Sequence, residues 1–89
     1  MGRPKTPRRV CSKPCCSCFT PQSGGVLSDG VIIMKDEFEA LKLHDIDGFN
    51  QSVAAKKMNV SQPTFARILA SAHKKLSSAI IKGGEIRIN

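Results

Sequence analysis

Tryptophan and tyrosine are absent from this 89-residue chain, and four phenylalanines are its whole aromatic content. Small-ligand pockets usually draw on aromatic walls, so a deep pocket of that kind is not expected. No apolar run approaches the ~20 residues of a membrane span, which argues against a membrane partner. The opening MGRPKTPRRV is basic but lacks the apolar core of a signal peptide, so the cytoplasm is the expected location. Catalytic signatures are missing too. Gly24-Gly25 and Gly83-Gly84 lack the flanks of a phosphate-binding loop, and there is no H-E-x-x-H pair or nucleophile elbow. An enzyme is not expected.

Acidic side chains are missing from two long stretches. Residues 1–28 hold Arg3, Lys5, Arg8, Arg9 and Lys13 with no acid, and residues 48–84 hold Lys56, Lys57, Arg67, Lys74, Lys75 and Lys82 with none. Between them lie Asp29, Asp36, Glu37, Glu39, Asp45 and Asp47, against only Lys35 and Lys42. The net charge is +7. Two basic blocks facing one polyanion would supply the phosphate-neutralising term that dominates nucleic-acid affinity. A solvated surface that keeps the chain soluble is the plainer account of the same blocks.

What is present reads as a mostly α domain over residues 31–89, preceded by a basic, Pro- and Cys-rich arm over residues 1–30. Pro4, Pro7, Pro14 and Pro21 predict irregular structure in the arm, with a short strand around Arg9–Cys11. Val31–Met34 reads as a strand or a buried lead-in. A first helix is predicted from Lys35 to about Ile46, with acids in its first turn, where the helix dipole favours negative charge. Phe38 and Leu41, and on one reading Asp45, share its stripe, flanked by Ala40, Leu43 and Ile46. Gly48 ends it. A second helix is predicted over 51–58, capped by Asn50, with Val53, Ala54 and Met58 inward. A third runs over 62–82, capped by Ser61, with Pro63 in its first turn and Gly83-Gly84 at its end. Phe65, Ile68, Leu69, Ala72, Leu76 and Ala79 make one buried stripe along it. Ile86 and Ile88 alternate with polar neighbours as a last short strand.

Only Asn59, Val60 and Ser61 separate the second and third helices. Asn tolerates the left-handed conformation, Val60 can plug the corner, and Ser61 starts the next helix. With Ala55 small inside the first arm of the corner, and Phe65 and Ile68 as anchors in the second, this is the spacing of a helix-turn-helix. A plain helical hairpin has similar features. The outward face of the third helix carries Gln62, Pro63, Ala66, Arg67, Ala70, Ser71 and Lys74, with no carboxylate. Small residues let a helix approach the floor of a major groove. Arg67, Gln62, Thr64 and Ser71 are the candidate base contacts, and Lys56, Lys57, Lys74, Lys75 and Arg3 the candidate phosphate contacts.

The stretch LKLHDIDGFNQSVAAKKMNVSQPTFARILASAHKKL resembles the final helix-turn-helix of bacterial sigma factors, which reads promoter DNA. Taken together, MGRPK, RRVC, DEFEALKLHDIDG, AAKKMNVSQPTFARIL and KGGEIRI resemble a family of small prokaryotic proteins that is uncharacterised and described as predicted DNA-binding. The resemblance covers nearly the whole chain. It implies a sigma-like helix-turn-helix fold and does not supply a biological role. The leading reading of the residues is a DNA-binding transcriptional regulator, with double-stranded DNA as partner. A homodimer on a two-fold site is compatible with so short a footprint. Gly2-Arg3-Pro4-Lys5 resembles the minor-groove hook of architectural DNA proteins.

Cys11, Cys15, Cys16 and Cys18 lie within eight residues. Reduced thiols in a loop, partly buried against the helices, are one reading. A thiolate-bound metal such as zinc, completed by His44 or His73, is a second, although adjacent Cys15 and Cys16 do not easily share one tetrahedral ion. A redox switch is a third, because basic surroundings lower a thiol pKa. These residues support an alternative to DNA binding: a protein-interaction or metal- or redox-sensing module, with the helical corner docked on a partner such as RNA polymerase.

Overall fold

A computed structural model describes residues 10, 14–22 and 30–89. The chain is mostly helical, with a three-stranded sheet of very short strands. In order come β1 (Cys18–Phe19), β2 (Val31–Ile33), α1 (Lys35–Leu41), a π-helical segment (Lys42–Ile46), α2 (Gln51–Met58), α3 (Gln62–Lys82) and β3 (Ile86–Ile88).

Each helix end follows from local chemistry. At the start of α1 the Met34 N–H donates to the Glu37 carboxylate at 2.8 Å, so a third-position acid satisfies a backbone donor that the helix leaves open. The helical run then widens over Lys42–Ile46 and closes with the Asp47 N–H donating to the Lys42 carbonyl at 2.8 Å, a bond five residues long. Gly48, at φ 80°, takes the chain out of it. The Asn50 side chain accepts from the Val53 N–H at 2.9 Å and caps α2.

At the other end of α2, Asn59 adopts φ 61°, ψ 43°, the left-handed conformation. Its N–H donates to the Lys56 carbonyl at 3.1 Å, and the Val60 N–H donates to the Ala55 carbonyl at 3.0 Å. This pair of bonds is the Schellman closure, with Val60 packed on the core as its apolar contact. Ser61 Oγ then accepts from the Thr64 N–H at 3.2 Å and begins α3. Gly83, at φ 74°, closes α3 in the same way, with the Gly84 N–H on the Ala79 carbonyl at 2.9 Å.

The core gathers Ala40, Leu43, Ala54, Ala55, Met58, Phe65, Ile68 and Leu69, with Leu41, Phe49 and Val60 packed against it. Phe65 and Met58 have no solvent exposure. Two expected core positions are corrected. Val53 is 39% exposed, and the smaller Ala54 and Ala55 take the inward face of α2. Ile46 is 79% exposed, because the wider π turn carries more residues per turn and rotates it off the α-helical stripe.

The sheet has the order β1-β3-β2. β2 runs parallel to β3, pairing Val31 with Ile86 and Ile33 with Ile88. β1 runs antiparallel to β3, pairing Cys18 with Arg87. β2 packs on α3, with Ile33 buried and Ile32 half exposed on the opposite face. Gly30 is required for this register. A Cβ there would come within 2.4 Å of the Glu85 carbonyl, which accepts the Val31 N–H at 2.8 Å. The short strand expected around Arg9–Cys11 is not seen at Val10, and its flanking residues lie outside the described ones. β1 falls instead at Cys18–Phe19, within the stretch expected to be an irregular arm.

Candidate nucleic-acid interface

With Phe65, Ile68, Leu69, Ala72 and Ala79 buried, the opposite side of α3 is an open ridge. Gln62, Pro63, Arg67, Ala70 and Lys74 are exposed along it, and Ala66 is half-buried at its edge. No Asp or Glu lies on α3. Among the described residues, neither Arg67 nor Lys74 has an ion-pair partner, so both keep their full donor capacity for something outside the chain.

The flank of α3 that faces α1 is different. Ser71 Oγ donates to Glu37 Oε2 at 2.6 Å. Lys75 Nζ donates to Glu37 Oε1 at 2.8 Å and to the Ile32 carbonyl at 2.8 Å. Glu37 is 5% exposed. Burial raises its pKa, but the bonds from Lys75, the Met34 N–H and Ser71 together outweigh burial and hold the carboxyl below its ordinary value. Ser71 and Lys75, expected to contact DNA, thus have their polar groups committed to α1 and β2. Ser71 is exposed, as a wheel drawn on α3 places it, and Lys75 is half-buried; a carboxylate from α1 bonds to both.

The remaining candidates divide by what they already touch. Thr64 is half-buried, and its Oγ1 accepts from Ser61 Oγ at 2.9 Å. Lys57 is exposed with its ammonium 4.6 Å from the centroid of the Phe49 ring. Lys56 is exposed on the same helix. Arg3 lies outside the described residues.

Cys15, Cys16 and Cys18 are free and exposed rather than partly buried against the helices, and Cys11 lies outside the described residues. Among the described residues no group of three or more His, Cys, Asp or Glu side chains is arranged to hold a metal. The two histidines have other partners. His44 Nδ1 lies 2.9 Å from the Phe49 carbonyl, with its ring edge-on to Phe65, and His73 Nε2 lies 2.7 Å from Asp45 Oδ2. The Cys18 thiol donates to Glu85 Oε2 at 3.1 Å, and the Thr20 hydroxyl donates to the same oxygen at 3.2 Å. These two bonds, with Arg87 beside them, lower the Glu85 pKa.

Two features escape sequence reasoning. By position Glu37 is one more first-turn acid, whereas in the fold it is the buried junction of α1, β2 and α3. Its one available signal is its spacing, three residues beyond the residue that precedes the helix. The tie between Cys18 and Glu85 has no local signal at all. Among the described residues, no helix is long and apolar enough to cross a membrane.

Comparison with known proteins finds that the family described as "Protein of unknown function DUF134" matches residues 1–89. A "UPF0251 protein" of Prosthecochloris aestuarii is 47% identical over 88 residues, covering 98% of this chain and 57% of that protein. "UPF0251 protein CT1277" of Chlorobaculum tepidum is 39% identical over 97 residues, covering 100% of this chain and 49% of the relative. A "UPF0251 protein" of Aeromonas salmonicida is 40% identical over 84 residues, covering 93% and 82%. The chain thus spans about half the length of several curated relatives it matches. No solved structure matches it.

Proposed function

We propose that this chain, which belongs to the family described as "Protein of unknown function DUF134", is a sequence-specific DNA-binding protein of the cytoplasm that regulates transcription. The N-terminal half of α3 enters the major groove, and α2 lies across the backbone. The observation that carries this reading is the α3 ridge: exposed, free of carboxylates, and bearing an Arg67 without an ion-pair partner among the described residues. Everything that would obstruct such a helix lies elsewhere. In the N-terminal half of α3 the long apolar side chains Phe65, Ile68 and Leu69 are packed in the core, and the buried acid Glu37 bonds to its flank.

Arg67 and Gln62 make the base contacts, with Thr64 at the entry of α3. Lys56, Lys57 and Lys74 neutralise phosphates, positioning the helix without specifying sequence. Arg3 in the basic arm extends the footprint. Ser71 and Lys75 hold the architecture and are not assigned to DNA.

Duplex binding by the full chain, measured at two salt concentrations, tests the reading. Arg67→Ala weakens binding to a preferred site more than to random duplex; equal losses on both would remove direct readout. Lys74→Ala weakens both and reduces the slope of log affinity against log salt by about 1.

A further inference from the structure

We infer that the α3 ridge reads one particular pattern in the major groove: a guanine with thymine methyl groups within about two base steps of it. This inference rests on the duplex-binding reading and adds the chemistry of the site that is bound.

Of the ridge residues beside Arg67, three are carbon only, and the hydroxyls of Thr64 and Ser71 are engaged with Ser61 and Glu37. Pro63 presents ring carbons one turn before it, Ala70 presents a methyl group one turn after it, and Ala66 presents another beside it. Arg67 is a pure donor. A guanidinium has five N–H groups and no acceptor, so it matches the paired O6 and N7 acceptors of guanine. Adenine offers an acceptor next to a donor, and cytosine offers a donor. The side chains of Pro63, Ala66 and Ala70 cannot make hydrogen bonds. If Ala66 or Ala70 lay against the amino group of adenine or cytosine, that donor would lose water and gain nothing, at full desolvation cost. The one apolar feature of a major groove is the thymine C5-methyl group, and it packs against such carbon at a gain.

Spacing agrees. Ala66 and Ala70 are four residues apart, about 6 Å along the helix axis. That is close to two base steps of about 3.4 Å. A small side chain on each side of Arg67 also lets the helix sit low enough for methyl contact, which a lysine or glutamine at either place would prevent. Lys74, one turn further on, is left for the phosphates at the groove's edge.

The test changes single groups on the DNA, with one protein variant as a control. A preferred duplex is selected from a random-sequence pool with the full chain. It is then remade with deoxyuridine for thymine, which removes only the C5-methyl groups, and separately with 7-deazaguanine for guanine, which removes only N7. We expect the 7-deaza duplex to bind roughly tenfold or more weakly. Arg67→Ala should bind the two guanine forms equally. We expect the deoxyuridine duplex to lose about threefold for each contacted methyl. A selected duplex that tolerates both replacements without loss would overturn the guanine–methyl assignment while leaving DNA binding standing. A chain that retains no duplex from the pool more tightly than it retains heparin would overturn the DNA-binding reading itself, and this inference with it.

Discussion

The two ends of α3 are built on different principles. At its N-terminal end the helix meets α2 through a corner whose every turn is fixed by a neighbour in sequence: Asn50 on Val53, Asn59 on Lys56, Val60 on Ala55, Ser61 on Thr64. Beneath this corner Phe65 and Met58 are wholly buried. At its C-terminal end the helix meets strands of two or three residues, brought together from distant parts of the chain and tied by polar side chains. There Ile80 and Ile81 are 75% and 82% exposed. A dense core with local caps holds a backbone to one shape. A small sheet with exposed apolar neighbours leaves the other end to gain most of its order from pairing. Readout of a base edge needs the first kind of support, and the proposed contacts, Gln62 and Arg67, stand on that end.

The most damaging way to break the contrast is to empty the corner. Phe65→Ala removes the largest fully buried side chain, and such truncations cost about 3–5 kcal/mol. In a domain this small the midpoint of thermal unfolding should fall by more than about 12 °C, followed by circular dichroism. A fall of only a few degrees would mean that the sheet end carries more of the stability than its packing indicates.

The same contrast explains what the sequence discloses and what it does not. Asn59, Ser61, Pro63 and Gly83 each act within a few residues of themselves, so the limits of α2 and α3 are legible in the residues alone. The ridge of α3 is legible for the same reason, since its helical period is unbroken from Phe65 to Ala79. On α2, ranking by hydrophobicity favours Val53, whereas close approach of α3 demands methyl-sized side chains and selects Ala54 and Ala55. Ile46 is misplaced because one wide turn shifts the period. β1 is illegible because two residues have no pattern of their own; its partner Arg87 lies at the far end of the chain. The bonds that Ser71 and Lys75 make are illegible in the same way. Their partner Glu37 is 34 and 38 residues distant, and nothing on α3 announces it.

Glu37 joins the two ends, and its effect comes next in size. Glu37→Gln keeps the shape and removes the charge that Lys75 and Ser71 bond to. Hydrogen bonds to a charged group are worth about 1.5–3 kcal/mol, so a loss in that range is expected at neutral pH in urea unfolding. The sign of the pH dependence follows from the lowered pKa. The unfolded chain takes up a proton at this carboxyl near its ordinary value of 4.5, before the folded chain does. The stabilisation is therefore complete above that value and disappears as pH falls through the lower folded pKa. The stabilities of wild type and Glu37→Gln should converge in acid. Parallel curves down to that range would show that the charge contributes nothing and that the bonds survive on shape alone.

The smallest effect sharpens the contrast from the other side. Ile81 is 82% exposed, on the same α3 where Phe65 is wholly buried. Surface substitutions away from packed features stay within about 0.5 kcal/mol, so Ile81→Ser should leave the unfolding midpoint within about 4 °C of wild type. Exposure also costs solubility, so the serine variant should remain monodisperse at concentrations where wild type begins to associate, by light scattering. A destabilisation above about 1 kcal/mol that grows with protein concentration would show this end of α3 buried against another copy of the chain, because association stabilises by mass action. The sheet end would then be half of an interface, and its sparse packing would be completed by a second protomer.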